Sequence, residues 1–320
     1  IRAEVQREAD QIKVHLSQQR FLYTGITQDP TQWQVPIQVS DKWTSQRGSI
    51  LLDDREDILL LEQAKQDIDS DSWVKINPSH TGFYRVHYPL EEWSRLIPAI
   101  ESLELPAADR LGLQSDSYAL VRAGLLPATQ FLELIKAYRN EQEYAVWADL
   151  VTNLRHLDLL LCQESYHDQF RALGRELLRP IARRVGWNPK ARETHLQTLL
   201  RSTVLGQLGA FGDPDTLTTA HGRFQRYLQT PSSLAPDLRG VVYGLAAQAG
   251  NRATYDTLHG LVPKATLQEE KIRLLVSMTR FQQRELIQET LRMSLSSEVR
   301  AQDTVTLVGA VASNPHGGTA

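Results

Sequence analysis

The chain is poor in the residues that cross-link proteins or bind metals. Cysteine occurs once in 320 residues, at Cys162, so neither an internal disulfide nor a cysteine-built zinc site can form. Such sparing use of cysteine suits a reducing compartment, and the expected location is cytoplasmic. Long apolar runs are missing too. The densest stretches are Ile58–Leu61 and Leu157–Cys162, far from the roughly 20 residues that span a bilayer. Nor does one sign of charge dominate: 35 basic residues stand against 38 acidic ones, a formal net charge of −3. That balance offers no electrostatic grip on nucleic acid or an anionic membrane, and neither partner is expected. The chain opens on Ile1, with methionine only at Met278 and Met293, so a piece of a longer polypeptide is expected.

Catalytic motifs are absent as well. The nine histidines stand at 15, 80, 87, 156, 167, 195, 221, 259 and 316. None is followed by Glu and no two are four apart, which excludes the His-Glu-x-x-His helix that sets two imidazoles on one face. No Gly-x-Ser-x-Gly elbow and no glycine-rich phosphate loop occurs. Asp67-x-Asp69-x-Asp71 opens like a calcium loop, but Ser72 stands where that loop needs Gly and Pro78 where it needs Glu. An acidic turn is the expectation there. Cys162 lies in the apolar run from Leu157 and reads as a buried, inert thiol. Arg171, Arg175 and Arg179, with Arg183 and Arg184, read as a basic helix face, able to meet a carboxylate if concave.

What is present has two grammars. The hydrophobic fraction of 41% and charged fraction of 23% are those of a globular protein. Up to residue 89, short β-branched and aromatic runs alternate with turn residues: Arg20–Thr24, Trp33–Val39, Ser49–Leu52, Asp57–Leu61, Trp73–Ile76 and Gly82–Tyr88. They predict a small all-β sandwich over 1–89. From 90 to 320 the apolar period is helical, as in Phe131, Leu134, Ile135 and Tyr138. Helix starts are expected at Pro127, Pro189, Pro214 and Ser296 with Glu298, and breaks at Gly124, Gly186, Gly212, Gly250 and Pro263. Helices beginning near 236, 251, 267, 282 and 297 suggest a large all-α domain, an α-solenoid of HEAT/armadillo-like helix pairs. An irregular helical bundle would give nearly the same pattern.

Several segments together resemble the C-terminal half of the zinc metalloaminopeptidases of the aminopeptidase N and puromycin-sensitive aminopeptidase family. Gln18-Gln19-Arg20-Phe21 is similar to the strand that opens the family's β-sandwich, and Trp33-Gln34-Val35-Pro36-Ile37 to its Trp-x-x-Pro strand. Trp73-Val74-Lys75-Ile76-Asn77 followed by Thr81-Gly82-Phe83-Tyr84-Arg85-Val86-His87-Tyr88 resembles its signature hairpin. Asp109-Arg110 with Ser115-Asp116-Ser117-Tyr118-Ala119-Leu120-Val121-Arg122-Ala123-Gly124 resembles the first helices of its helical domain. Glu270–Leu275, Ser297–Asp303 and Val311–Gly317 fit the same domain.

The resemblance implies a parent enzyme that removes N-terminal residues from peptides with a catalytic zinc. The zinc ligands would lie upstream of Ile1, so this chain is expected to hold no cofactor and to be inactive alone. Both ends read as cut, with final helices missing. The implied partners are a peptide substrate and the catalytic domain of the same polypeptide, and the β region is expected to expose a large apolar patch towards that domain. The helical domain would enclose the substrate cavity and hold the peptide's far end. For that role the candidates are Arg300, Gln302 and Arg273, since a guanidinium offers a carboxylate a planar fork of donors. The competing reading for each is pairing with a neighbouring acid. Arg85 is expected to pair within the sandwich or across a domain boundary. The reading from another class is a standalone, non-catalytic scaffold or peptide-binding module. The purified chain should not hydrolyse an amino-acid nitroanilide, with or without added zinc; zinc-dependent turnover by homogeneous protein would reveal a catalytic site in it.

Overall fold

A computed structural model describes residues 1–8, 11–24, 29–44, 47–62 and 72–317; the Asp67-x-Asp69-x-Asp71 segment lies outside them. The chain divides into two compact units, Ile1–Leu150 and Val151–Ala320. Among the described residues no helix is long and apolar enough to cross a membrane.

The first unit begins with six strands: β1 (Arg2–Arg7), β2 (Gln11–Ser17), β3 (Val35–Asp41), β4 (Gly48–Leu52), β5 (Glu56–Glu62) and β6 (Val74–Ile76). They form two antiparallel three-stranded sheets, ordered β1-β2-β5 and β4-β3-β6. Alternation decides which face is buried. Ile12, Val14 and Leu16 of β2 and Leu59 and Leu61 of β5 turn inward in one sheet, and Ile37, Val39, Leu52, Val74 and Ile76 in the other. The two inner faces meet closely at Gly48, where a Cβ would come within 2.5 Å of a Leu61 methyl. Ile58 and Leu60 point out of one sheet and Leu51 out of the other, so exposed apolar side chains occur on both outer faces.

Three departures from the sequence reading have physical causes. The pattern of β1 and β2 is easily passed over, because their apolar residues alternate with polar and charged ones. Arg20–Thr24 is not a strand. The buried Gln18 amide holds this region instead, donating to the Trp33 and Asp54 carbonyls (2.8 and 2.9 Å) and accepting from the Trp33 N–H (2.8 Å). Gly82–Tyr88 makes only an isolated bridge, Arg2 to His87. The Val86 N–H, which a strand neighbour would have taken, donates to Asp116 at 3.0 Å, and Arg85 binds Ser115 and Asp116 at 3.0 and 2.9 Å. A helix carboxylate thus replaces a strand partner.

Four helices follow: α1 (Leu90–Glu101), α2 (Ala107–Arg122), α3 (Ala128–Ile135) and α4 (Tyr144–Leu160), the last running past the division at Leu150. Buried ion pairs fasten the first of them to the strands. Glu92 of α1, 1% exposed, accepts the Val74 N–H at 2.7 Å and pairs with Arg7 of β1 at 2.9 Å. Lys75, 2% exposed, meets Asp109 of α2 at 3.4 Å and donates to the Asn77 carbonyl at 3.0 Å. Burial pulls the Lys75 pKa down, and Asp109 opposes that shift.

The second unit contains α5 (His167–Val185), α6 (His195–Ala210), α7 (Pro214–Gln229), α8 (Pro236–Gln248), α9 (Arg252–Leu261), α10 (Gln268–Met278), α11 (Arg284–Ser294) and α12 (Ala301–Ala312). The last five start close to the expected 236, 251, 267, 282 and 297. Pro189, however, starts no helix; Thr194 and Gln197 form a capping box at the head of α6. Nor do Ser296 and Glu298 lie within α12, which begins after Arg300. Gly124, Gly186 and Gly212 follow helices with φ of 70°, 61° and 78°, positive values that glycine adopts without strain. Cys162 lies beyond the end of α4, half-buried in a turn, rather than buried within a helix. In packing, α6 contacts α8, α8 contacts α10 and α10 contacts α12, while α5, α7, α9 and α11 pack beside members of that row.

Two substitutions test these packing arguments. Glu92→Ala leaves Arg7 and the Val74 N–H facing a buried gap, and should lower the unfolding free energy in urea by about 3 kcal/mol. In α6, a Cβ on Gly209 would come within 2.5 Å of a Leu245 methyl of α8, so Gly209→Val should cost about 1–3 kcal/mol in the same assay.

Candidate functional site

Within the second unit, the ends of several helices surround a cavity of about 300 Å³. Arg155 and Asp158 reach it from α4, one turn apart, and Arg171 from α5. Arg280 enters just after α10, and His316 from the turn after α12. That last turn is pinned by the buried Asn314, whose Nδ2 donates to the Thr279 and Phe281 carbonyls, each at 2.8 Å. Arg280 and His316 are thereby held on neighbouring pieces of backbone.

The cavity carries three arginines against one aspartate. Asp158 is already engaged: Arg171 grips both its oxygens at 2.8 and 3.1 Å, and His167 Nε2 lies 2.7 Å from one of them. The Arg280 backbone N–H donates to the Ser277 carbonyl at 3.1 Å, but its guanidinium makes no hydrogen bond or ion pair with any described residue. It is half-buried at the edge of the cavity, and burial first, then repulsion from Arg155, pull its pKa down to about 10. Its stem lies across α8 at Gly244, where a Cβ would come within 3.0 Å of the Arg280 Cδ. Glycine makes room for an arginine that no described residue pairs with. Burial, with Arg171 and His167 nearby, lowers the His316 pKa as well, against a smaller opposing pull from Asp158.

This arrangement can bind an anion. An uncompensated guanidinium behind a concave, partly desolvated surface attracts a carboxylate more strongly than a solvated one does. Among the described residues no three His, Cys, Asp or Glu side chains come together as metal ligands.

The residues singled out from the sequence lie elsewhere. Arg300, at the N-cap of α12, pairs with Asp303 at 2.8 Å, and Gln302 hydrogen-bonds the same carboxylate. Arg273 of α10 pairs with Glu269 at 2.5 Å and with Glu270, and Glu270 also accepts the Tyr243 hydroxyl at 2.8 Å. None of the three is among the residues lining the cavity. Of the basic face of α5, Arg171 reaches the cavity, whereas Arg175 caps the Phe211 carbonyl at 2.6 Å and Arg179 pairs with Asp213 at 2.8 Å. Arg155, Arg280 and His316 were not singled out. The only sequence sign near them was the run of arginines on α5.

The chain belongs to the ERAP1-like C-terminal domain family, whose model matches residues 73–320. It is similar to aminopeptidase M1-A of Oryza sativa subsp. japonica, 34% identical over 312 residues that make up 95% of this chain and 35% of that protein. Glutamyl aminopeptidase of Bos taurus is 29% identical over 299 residues, 90% of this chain and 30% of its own. Puromycin-sensitive aminopeptidase of Caenorhabditis elegans is 28% identical over 302 residues, 91% of this chain and 31% of its own. The chain thus spans about a third of the length of the curated relatives it matches. The resemblance to the C-terminal half of aminopeptidases of this family is borne out.

An unpaired, half-buried charge costs stability. Arg280→Met should therefore raise the unfolding free energy of the unliganded chain, on the order of 1 kcal/mol. A drop of that size in urea denaturation would show that the guanidinium has a stabilising partner.

Proposed function

We propose that the chain is the non-catalytic C-terminal region of a zinc-dependent aminopeptidase that removes N-terminal residues from peptides. The support is the family membership and the relatives' names, each a full aminopeptidase about three times this length. The functional division we propose falls where strand gives way to helix, 1–89 against 90–320. The catalytic zinc would polarise the scissile carbonyl, but the described residues offer it no ligand set, and no step of hydrolysis is derived from them. The single cysteine supports a cytoplasmic parent.

In this reading the helices form an α-solenoid of HEAT/armadillo-like pairs, a form supported by the consecutive row α6, α8, α10, α12 with its flanking helices. The solenoid encloses the substrate cavity and holds the peptide's C-terminal carboxylate. One observation carries that last role: Arg280 has no anion of its own. Arg155 stands beside it and adds long-range attraction. Arg273, Gln302 and Arg300 remain candidates for contacts along the peptide, but their carboxylate neighbours already occupy them.

Calorimetric titration with a nonapeptide, as free acid and as C-terminal amide, tests the proposal. The free acid should bind on the order of tenfold more tightly, equivalent to about 1.4 kcal/mol. Arg280→Met should erase the difference. Equal affinities for the two peptides in the native chain would overturn it.

A further inference from the structure

We propose that Gln207 is a specificity-determining residue of this cavity, selecting a carboxylate that ends a peptide, with an amide N–H on the same residue, over a carboxylate that stands alone. The proposal rests on the reading of the cavity as a carboxylate site, and it names the class of ligand that the site takes. Gln207 lies near the C-terminal end of α6, is 5% exposed, and lines the cavity. Its backbone carbonyl accepts the Phe211 N–H at 3.0 Å, as the helix requires. Its carboxamide makes no hydrogen bond with any described residue. A buried polar group is nearly always paired, because burial without a partner forfeits the bonds it had in water. A second glutamine of the same cavity shows the contrast: Gln248 of α8 donates to the Gly209 and Ala210 carbonyls at 3.1 and 3.2 Å.

One face of α8 relates Gln207 to Arg280. Gly244 and Gln248 stand one turn apart on that helix. The Arg280 stem lies across the first, and the second is bonded to the last turn of α6, just beyond Gln207. A guanidinium and a carboxamide thus border the same cavity, and they offer different chemistry. Arg280 supplies charge and takes any carboxylate. A carboxamide carries a donor and an acceptor side by side. That pair matches the N–H and C=O of one extended residue, which a strand presents together in a hydrogen-bonded antiparallel pair. At the end of a peptide the C=O is replaced by a carboxylate oxygen. Gln207 Nε2 donates to that oxygen and Oε1 accepts the terminal residue's N–H, while Arg280 answers the charge. A simple carboxylic acid, or a peptide ending in proline, has no such N–H and leaves Oε1 without a donor. An acceptor left unpaired on binding is what lets a hydrogen-bonding site reject the ligand that lacks the matching group.

The test titrates the 320-residue chain calorimetrically with two free-acid nonapeptides that differ in a single group. In the second peptide the last peptide bond is an ester, so that an oxygen stands where the terminal N–H was. The ester should bind on the order of tenfold more weakly. Gln207→Met, close to glutamine in length and volume, should bind the two peptides alike and still prefer the free acid to its C-terminal amide. A residue that merely supported the fold would change the affinity for both peptides together and leave their ratio as it was. Equal affinities for ester and amide in the native chain, a comparison that needs no variant to fold, would overturn the role of Gln207 and leave the carboxylate site standing. An ester penalty that persists in Gln207→Met would overturn the assignment to this residue. Free acid that binds the native chain no more tightly than the C-terminal amide would overturn the carboxylate reading, and this proposal with it.

Discussion

A charge leaves water only in company, and that constraint organises this protein more visibly than any run of apolar residues. Burying an isolated ion costs several kcal/mol after relaxation, so each buried cation is built against an anion on another piece of chain. Arg7 of β1 meets Glu92 of α1, Lys75 of β6 meets Asp109 of α2, and Arg110 of α2 meets Glu141 ahead of α4 at 2.6 Å. In the second unit Arg201 of α6 grips Glu193 of the preceding turn at 2.7 Å. These pairs tie successive elements of the chain to one another. The half-buried Arg280 has no such anion among the described residues, and it borders the candidate cavity.

The same economy of anions shapes the cavity. Asp158 is shared between an arginine and a histidine, which leaves the surrounding guanidiniums in surplus. Small residues then decide how closely the helices can converge. Gly209 admits Leu245 between α6 and α8, and Gly244 admits the Arg280 stem. Close helix packing and an unneutralised charge are thus produced by neighbouring positions on α8.

Much of the helical half is legible from local rules. Pro214 and Pro236 occupy first-turn positions, where a missing N–H costs nothing. Gly124, Gly186 and Gly212 take up positive φ at the expected breaks. The β half is less legible. Val86 and Tyr88 alternate as in a strand, yet the Val86 N–H donates to Asp116 of a helix thirty residues away. Conversely, β1 and β2 alternate faithfully with charged residues and are easily passed over. Alternation reports which face is buried; it does not say what the backbone hydrogen-bonds to.

For the site the division is sharper. The sequence by itself determined the family, through the hairpin from Trp73 and the helical segments after it, and it ruled out the common catalytic motifs, because both depend on residues at short, fixed spacing. It also pointed to arginine as the residue suited to a carboxylate. Which arginine is available was decided only by the tertiary structure. Arg273 and Arg300 find acids three or four residues away on their own helices. Arg155, Arg171, Arg280 and His316 are brought together from four places spanning more than half the chain. Whether a charge is answered depends on what the fold brings within a few ångströms, and the spacing of residues along the chain does not contain that distance.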